Sequence, residues 1–326
     1  MTEDKRVTRL LAPGPAGIAE AGAILRAGGL VAFPTETVYG LGALASDPRA
    51  VAGIYRAKGR PSFNPLISHI VDVAAARRQG RFDSRAERLA EAFWPGPLTL
   101  VLPLAPTASV CDLARAGLDS VGLRIPANAL ARSVIAAAGG PVAAPSANLS
   151  GHVSPATPAH VLADLDGRID AVLNGGACPV GVESTIVSLL GDKPRLLRPG
   201  GVPRAAIESV LGESLAGAEE GEDSQPVAPG LLASHYAPRA VLRLDAEALR
   251  DGEAGLDFGG RFAADGAMVL DLSPGGDLSE AAANLFSMLR ALDAAGAARV
   301  AVAPIPDADL GEAINDRLRR AAAPRP

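Results

Sequence analysis

The chain has 326 residues, of which 48% are hydrophobic and 21% charged, values that exclude disorder as its main state. Aromatics make up 3% and there are two cysteines, so a base-stacking platform, a disulfide framework and a cysteine zinc site all lose their footing. Residues 1–212 hold 21 Lys and Arg against 17 Asp and Glu, and residues 213–326 hold 10 against 19, so anion handling is expected in the first part.

The first residues are charged and then rich in Pro and Gly, unlike a secretory signal, and no run of 18 apolar residues occurs. A soluble cytoplasmic protein is the expectation. A helix is predicted over 17–27, followed after Gly28-Gly29 by a buried strand over 30–33. Helical spacing runs over 47–58, with Val51, Ile54 and Tyr55 on one side, and 66–71 reads as a strand. A helix over 83–93 stops before Trp94-Pro95-Gly96-Pro97. Further strands are predicted over 98–102, 121–125, 142–144, 171–173 and 186–190, with helices over 127–138 and 158–164. Alternating strands and helices predict an α/β domain over residues 1–212. Residues 213–228 are acidic, small and aperiodic, as in a linker. Beyond it, strands over 241–244, 268–272 and 300–303 alternate with helices over 279–295 and 310–321. They predict a second, smaller α/β domain with a parallel sheet.

Several common chemistries have no foothold. The chain lacks a phosphate-binding G-x-x-x-x-G-K-[ST] loop, an H-E-x-x-H or C-x-x-C pair and a G-x-S-x-G elbow. His69, His152, His160 and His235 are not at metal-ligand spacing.

Other segments concentrate polar groups at strand ends. Phe33-Pro34-Thr35-Glu36-Thr37-Val38-Tyr39-Gly40-Leu41-Gly42 reads as a strand end, polar residues and a Gly-x-Gly turn. Thr35 and Thr37 either hold a small polar substrate or merely cap a connection. Lys58-Gly59-Arg60, followed by Asn64 between Pro61 and Pro65, places two cations in a stiff loop suited to a polyphosphate or, alternatively, to solvent. His69 lies in an apolar strand. Arg124, in Ser120-Val121-Gly122-Leu123-Arg124, needs an anionic partner, from this chain or from a ligand. Ala144-Pro145-Ser146-Ala147-Asn148, continuing to Ser154, is dense in hydroxyls and amides. Ser184-Thr185 opens another strand, Arg198 precedes a Gly-rich turn, and His235-Tyr236 sits between prolines at the linker's end. That last pair suggests a lid.

Taken in order, the segments 34–42, 58–69, 94–102, 120–126, 144–151, 181–187, 197–201 and 235–238 resemble the YrdC-like family, and specifically its long two-domain threonylcarbamoyl-AMP synthases. The resemblance spans the first domain and reaches into the linker. It implies a YrdC-like twisted mixed sheet with a basic cavity over 1–212, a linker and lid over 213–238, and a Rossmann-like α/β domain over 239–326. It implies an ATP-dependent enzyme joining L-threonine and bicarbonate into threonylcarbamoyl-AMP with release of pyrophosphate. The product would feed threonylcarbamoyl modification of tRNA adenosine 37 through a separate transferase. Carried over by position, L-threonine would meet Thr35, His69, Arg124, Ala144 and Ser184. ATP would meet Lys58, Arg60, Asn64, Ser120, Ser146, Asn148, Ser154, Arg198 and, from the linker, Tyr236. Lys58 and Arg60 would be the catalytic cations, and Mg2+ would be held by ATP and water rather than by a protein site. Ala228-Pro229-Gly230-Leu231 departs from the family's usual Ser-Pro-Gly-Met, which puts lid contacts by Ala228 and Leu231 in question. The competing readings are an RNA-binding module and carbamoyl-adenylate chemistry on the same fold.

Overall fold

The computed structural model describes residues 7–217, 235–263 and 267–324. Much of the expected linker, including Ala228 and Leu231, lies outside them. The chain opens with β1 (Arg9–Leu11), α1 (Pro15–Arg26), β2 (Val31–Phe33), β3 (Gly40–Leu44), α2 (Pro48–Lys58) and β4 (Ile67–His69). Next come α3 (Val73–Arg77), α4 (Ser84–Phe93), β5 (Leu98–Pro103), α5 (Asp112–Arg115), β6 (Ser120–Arg124), α6 (Ala129–Ala138) and β7 (Val142–Ala143). The first part closes with α7 (Pro158–Leu165), β8 (Ala171–Leu173), β9 (Thr185–Ser188), β10 (Arg195–Arg198) and α8 (Arg204–Leu211). The second contains β11 (Val241–Arg243), β12 (Ala254–Asp257), β13 (Val269–Asp271), α9 (Leu278–Ala294), β14 (Arg299–Val302) and α10 (Leu310–Ala322).

The first ten strands form one mixed sheet in the order β1-β8-β2-β3-β7-β4-β6-β5-β9-β10. The last four form a second sheet, β11-β14-β12-β13, in which every pairing is parallel. Every helix and strand expected from the sequence is present, its ends displaced by at most two residues. The α/β class with a second parallel sheet is therefore as expected.

One expectation is corrected. Gly40-Leu41-Gly42 is not a turn but the start of β3, antiparallel to β2. The glycines serve the packing of the sheet. A Cβ on Gly42 would stand 2.6 Å from a ring carbon of Phe33 and 2.9 Å from Val142 Cγ1. Strands β1, β10 and β12 were not read from the sequence, being short, rich in Arg, or of the form Ala-Gly-Leu-Asp.

Period-2 alternation places the site. In β5 and β6, Leu98, Leu100, Leu102, Val121 and Leu123 enter the main apolar core on one face of the sheet. On the other face Ile67, Val101, Ile186 and Leu197 form a small apolar floor. His69 and Arg124 follow on that second face, paired in register at the ends of the parallel strands β4 and β6. Ligands of open α/β sheets gather beyond such strand ends. The second sheet packs here too, because its core takes in Val38, Val153 and Val182 from the loops around that face.

Candidate active site

The loops at the ends of β2, β4, β6, β7 and β9 enclose a narrow cleft lined by both charged and neutral side chains. Arg60, Arg124 and Arg198 all line it. Each guanidinium is at least nine-tenths buried.

Arg124 has found a partner in the chain. Its Nη2 donates to Glu36 Oε1 at 2.6 Å, and its Nε donates to the Gly96 carbonyl at 3.3 Å. Burial works to raise the Glu36 pKa, but the Arg124 charge overrides it and holds the carboxyl below its ordinary value. The remaining N–H groups of Arg124 have no protein partner among the described residues, so the guanidinium keeps capacity for a second carboxylate.

Arg60 is delivered by α2. Asp47 caps that helix, accepting from the Arg49 and Ala50 amides, and left-handed Gly59 ends it. Arg60 Nε is buried without a hydrogen-bond partner, and Nη2 reaches the Pro65 carbonyl only at 3.4 Å. Burial pushes the Arg60 pKa down to about 10, helped by the nearby charge of Arg198. A buried cation with an unmade hydrogen bond stands ready for an anion. Arg198 lies on β10, where Nε and Nη2 donate to the Ser184 carbonyl at 3.2 and 2.9 Å. Burial lowers its pKa as well.

The neutral wall is built from hydroxyls and one imidazole. Thr35 Oγ1 donates to the Val38 carbonyl at 2.7 Å and accepts from the Thr37 and Val38 amides, so it shapes its own turn while facing the cleft. Ser184 Oγ pairs with Thr99 Oγ1 at 2.8 Å. His69 Nδ1 has no partner. Burial, reinforced by Arg124, pushes the His69 pKa down to about 3, so the imidazole is neutral at pH 7. Ala144 and Ser146 complete this wall, and His235 and Tyr236 also line the cleft.

Five expected nucleotide contacts do not line the cleft. Lys58 Nζ donates to the Ser146 carbonyl at 2.5 Å and to the Asn148 carbonyl, while the Lys58 carbonyl accepts from the Ser150 amide. The Ser146–Ser150 loop is thus clamped to the end of α2. Burial brings the Lys58 pKa well below its usual value. Asn148 Nδ2 donates to the Leu149 and His152 carbonyls, leaving Oδ1 unpartnered, and both amide atoms of Asn64 are unpartnered. Ser154 Oγ donates to Glu183 Oε1 at 2.5 Å. Ser120 begins β6, four residues and roughly 13 Å along the strand from Arg124.

Sequence reasoning missed Glu36, Glu183 and Arg317 as site groups, and it placed His235 beside Tyr236 in the suggested lid without giving it a ligand contact. Glu183 lines the cleft, and its Oε2 accepts from Arg317 Nε at 2.8 Å. Both glutamates fall inside segments singled out above. The missing signal was the partner: Glu36 and Arg124 are 88 residues apart, Glu183 and Arg317 are 134.

A family model for Sua5, YciO and YrdC proteins, described as "Telomere recombination", matches residues 23–200. A second, described as "Threonylcarbamoyl-AMP synthase, C-terminal domain", matches residues 202–323. The chain is 41% identical over 337 aligned residues to a threonylcarbamoyl-AMP synthase of Bacillus subtilis, covering 98% of this chain and 96% of that protein. It is 40% identical over 324 residues to one of Pyrococcus abyssi, covering 94% of each. The crystal structure of P. abyssi Sua5 complexed with L-threonine superposes with a TM-score of 0.88 at 38% identity, covering 97% of each chain.

Proposed function

The chain belongs to the Sua5–YciO–YrdC family, and we infer that it is an enzyme which uses ATP to convert L-threonine into threonylcarbamoyl-AMP, a nucleotidyl transfer. The observation that carries this reading is the convergence of Arg60, Arg124 and Arg198 with neutral hydroxyls in one buried cleft. An amino acid carboxylate and a triphosphate are the anions such a cleft suits. In this reading residues 1–212 are the catalytic domain, 213–238 the linker and 239–326 the C-terminal domain.

The free N–H groups of Arg124 take the threonine carboxylate, with Glu36 holding the guanidinium in place. Neutral His69, Thr35, Ala144 and Ser184 surround the side chain. The threonine amine attacks bicarbonate carbon, water leaves, and a carbamate results. A carbamate oxygen then attacks the α-phosphorus, and the bond to the β-phosphate bridge breaks, releasing pyrophosphate. No covalent protein intermediate is required. Arg60 and Arg198 face the charge that grows on the phosphates, and catalysis is orientation plus this fixed positive field. Lys58 and Asn148 act on the nucleotide through the Ser146–Ser150 loop, Ser146 and Tyr236 complete the nucleotide surroundings, and Asn64, Ser120 and Ser154, which do not line the cleft, are not direct nucleotide contacts in this reading. In this reading magnesium enters with the nucleotide substrate. The acyl adenylate is activated for transfer, and its consumer is a separate transferase acting on tRNA. Among the described residues no helix is long and apolar enough to cross a membrane, and a cytoplasmic location fits a tRNA-linked reaction.

The test is pyrophosphate release by the purified chain with threonine, bicarbonate or ATP omitted in turn. Dependence on all three is expected. Release that instead follows carbamoyl phosphate, or salt-dependent RNA binding without turnover, contradicts this reading.

A further inference from the structure

The second sheet's helices contribute one fully buried cation to the back of the cleft. Arg317, on α10, is 0% exposed. Its guanidinium makes three different contacts. Nε donates to Glu183 Oε2 at 2.8 Å, Nη1 donates to Asp316 Oδ2 at 2.6 Å, and Cζ lies 5.2 Å from the centroid of the Tyr236 ring. Its Nη2 is buried without a partner. Glu183 and Tyr236 both line the cleft. Glu183 is tied on its other oxygen by Ser154. Tyr236 is stacked on Phe286 of α9, with centroids 5.7 Å apart and planes at 21°, and sits at the strained φ of +61°.

Packing alone does not account for this residue. Apolar side chains of similar volume fill a domain contact without the cost of desolvating a guanidinium. What the guanidinium adds is direction, since its edge fixes a carboxylate while its face fixes an aromatic ring. A non-glycine residue held in the left-handed region persists only where its surroundings over-determine it. Around Tyr236 those surroundings are Arg317, Phe286, the edge-on His235 ring and the bond from the Ala237 amide to the Gly151 carbonyl.

We infer that Arg317 is a positioning residue for the reaction: it fixes the Glu183 carboxylate and the Tyr236 ring from the second sheet, so that the nucleotide meets a preformed wall. This rests on the reading of the cleft as a site for ATP. It gives the second sheet's helices a part in nucleotide affinity, while the threonine carboxylate is assigned to Arg124, whose own hydrogen bonds run to Glu36 and Gly96.

Replacing Arg317 alone would strand the Glu183 charge, so the informative variant is Glu183→Gln/Arg317→Met, which removes both charges and leaves Ser154 a partner. The measurements on the full chain are thermal melting, ATP binding by calorimetry, and KM for each substrate. Expected are a melting point near that of wild type, a threonine KM within twofold, and an ATP affinity and KM weakened by about fivefold to thirtyfold, the scale for losing a desolvated cation–π contact. A folded variant that binds ATP within twofold of wild type overturns the inference, as does one that weakens both substrates equally. If the double variant does not fold, Arg317→Lys keeps the charge beside Glu183 without the planar face. Weakened ATP binding at unchanged melting point then supports the inference, and unchanged ATP binding overturns it. A wild-type chain that binds ATP but releases no pyrophosphate sinks the functional reading alone, because the binding comparison still decides for Arg317. A wild-type chain that does not bind ATP overturns both.

Discussion

The Glu36–Arg124 pair offers the most informative single perturbation, Glu36→Gln. Both side chains are less than a tenth exposed, at 9% and 4%, so water screens them little. Two unit charges about 4 Å apart at an effective dielectric of 20 attract by about 4 kcal/mol. Removing one partner of a buried pair costs about 3–5 kcal/mol, because the other charge is left without compensation. Glutamine keeps one acceptor for Nη2, which places the loss near the bottom of that range, about 3 kcal/mol. At about 2–4 °C per kcal/mol for a unit of this size, the melting point falls by roughly 6–12 °C. The decisive measurement is melting with saturating L-threonine. If the substrate carboxylate sits on Arg124, it restores the missing negative charge, and threonine stabilises the variant by several degrees more than it stabilises wild type. Equal stabilisation of both proteins would refute the placement of the carboxylate on Arg124.

Three other outcomes follow from the geometry. Arg60→Ala removes a buried cation with an unmade hydrogen bond and lowers turnover by roughly 10²–10³-fold; near-wild-type kcat in steady-state assays would take Arg60 out of the mechanism. Gly181 has φ of +76°, and a Cβ there would stand 2.2 Å from the Ala282 carbonyl oxygen on α9. Gly181→Ala therefore costs about 2–5 kcal/mol, from left-handed strain and overpacking together, measured by denaturant unfolding, and an unchanged midpoint would mean the contact is slack. Burial pushes the pKa values of His69 and His235 down to about 3, so both stay neutral in the fold while the unfolded chain takes up protons below about pH 6.5. Stability is then full above that pH and declines as pH falls towards 3, by about 4 kcal/mol at pH 5 for the two together. His69→Gln should remove about half of that decline, and an identical pH profile would contradict the burial of a neutral imidazole.

The sequence exposed the elements with long apolar periodicity and the loops where polar residues crowd after a strand. It hid two kinds of feature. The first is the short polar strand: β10 reads Arg-Leu-Leu-Arg, and β3 carries two glycines that mimic a turn until Phe33 and Val142 are seen against them. The second is the long-range partner. An arginine inside an apolar strand announces that an anion is needed, but nothing in the spacing selects Glu36 over a ligand, and the structure leaves Arg124 donors enough for both. Lys58 and Ser154 show the converse. Both sit in polar segments of the expected kind, yet their side chains hold the Ser146–Ser150 loop and Glu183 instead of facing the cleft. Arg317 was out of reach altogether, because its partners lie across two sheets and its helix reads as an ordinary amphipathic surface helix.

A crystal structure of the chain with L-threonine and a non-hydrolysable ATP analogue bears most directly on the cleft. The threonine carboxylate should lie on Arg124, and the phosphates should lie against Arg60 and Arg198, close enough for a carbamate oxygen to reach the α-phosphorus. Ligands bound at separate surfaces, or an empty cleft at saturating concentrations of both, would contradict the account.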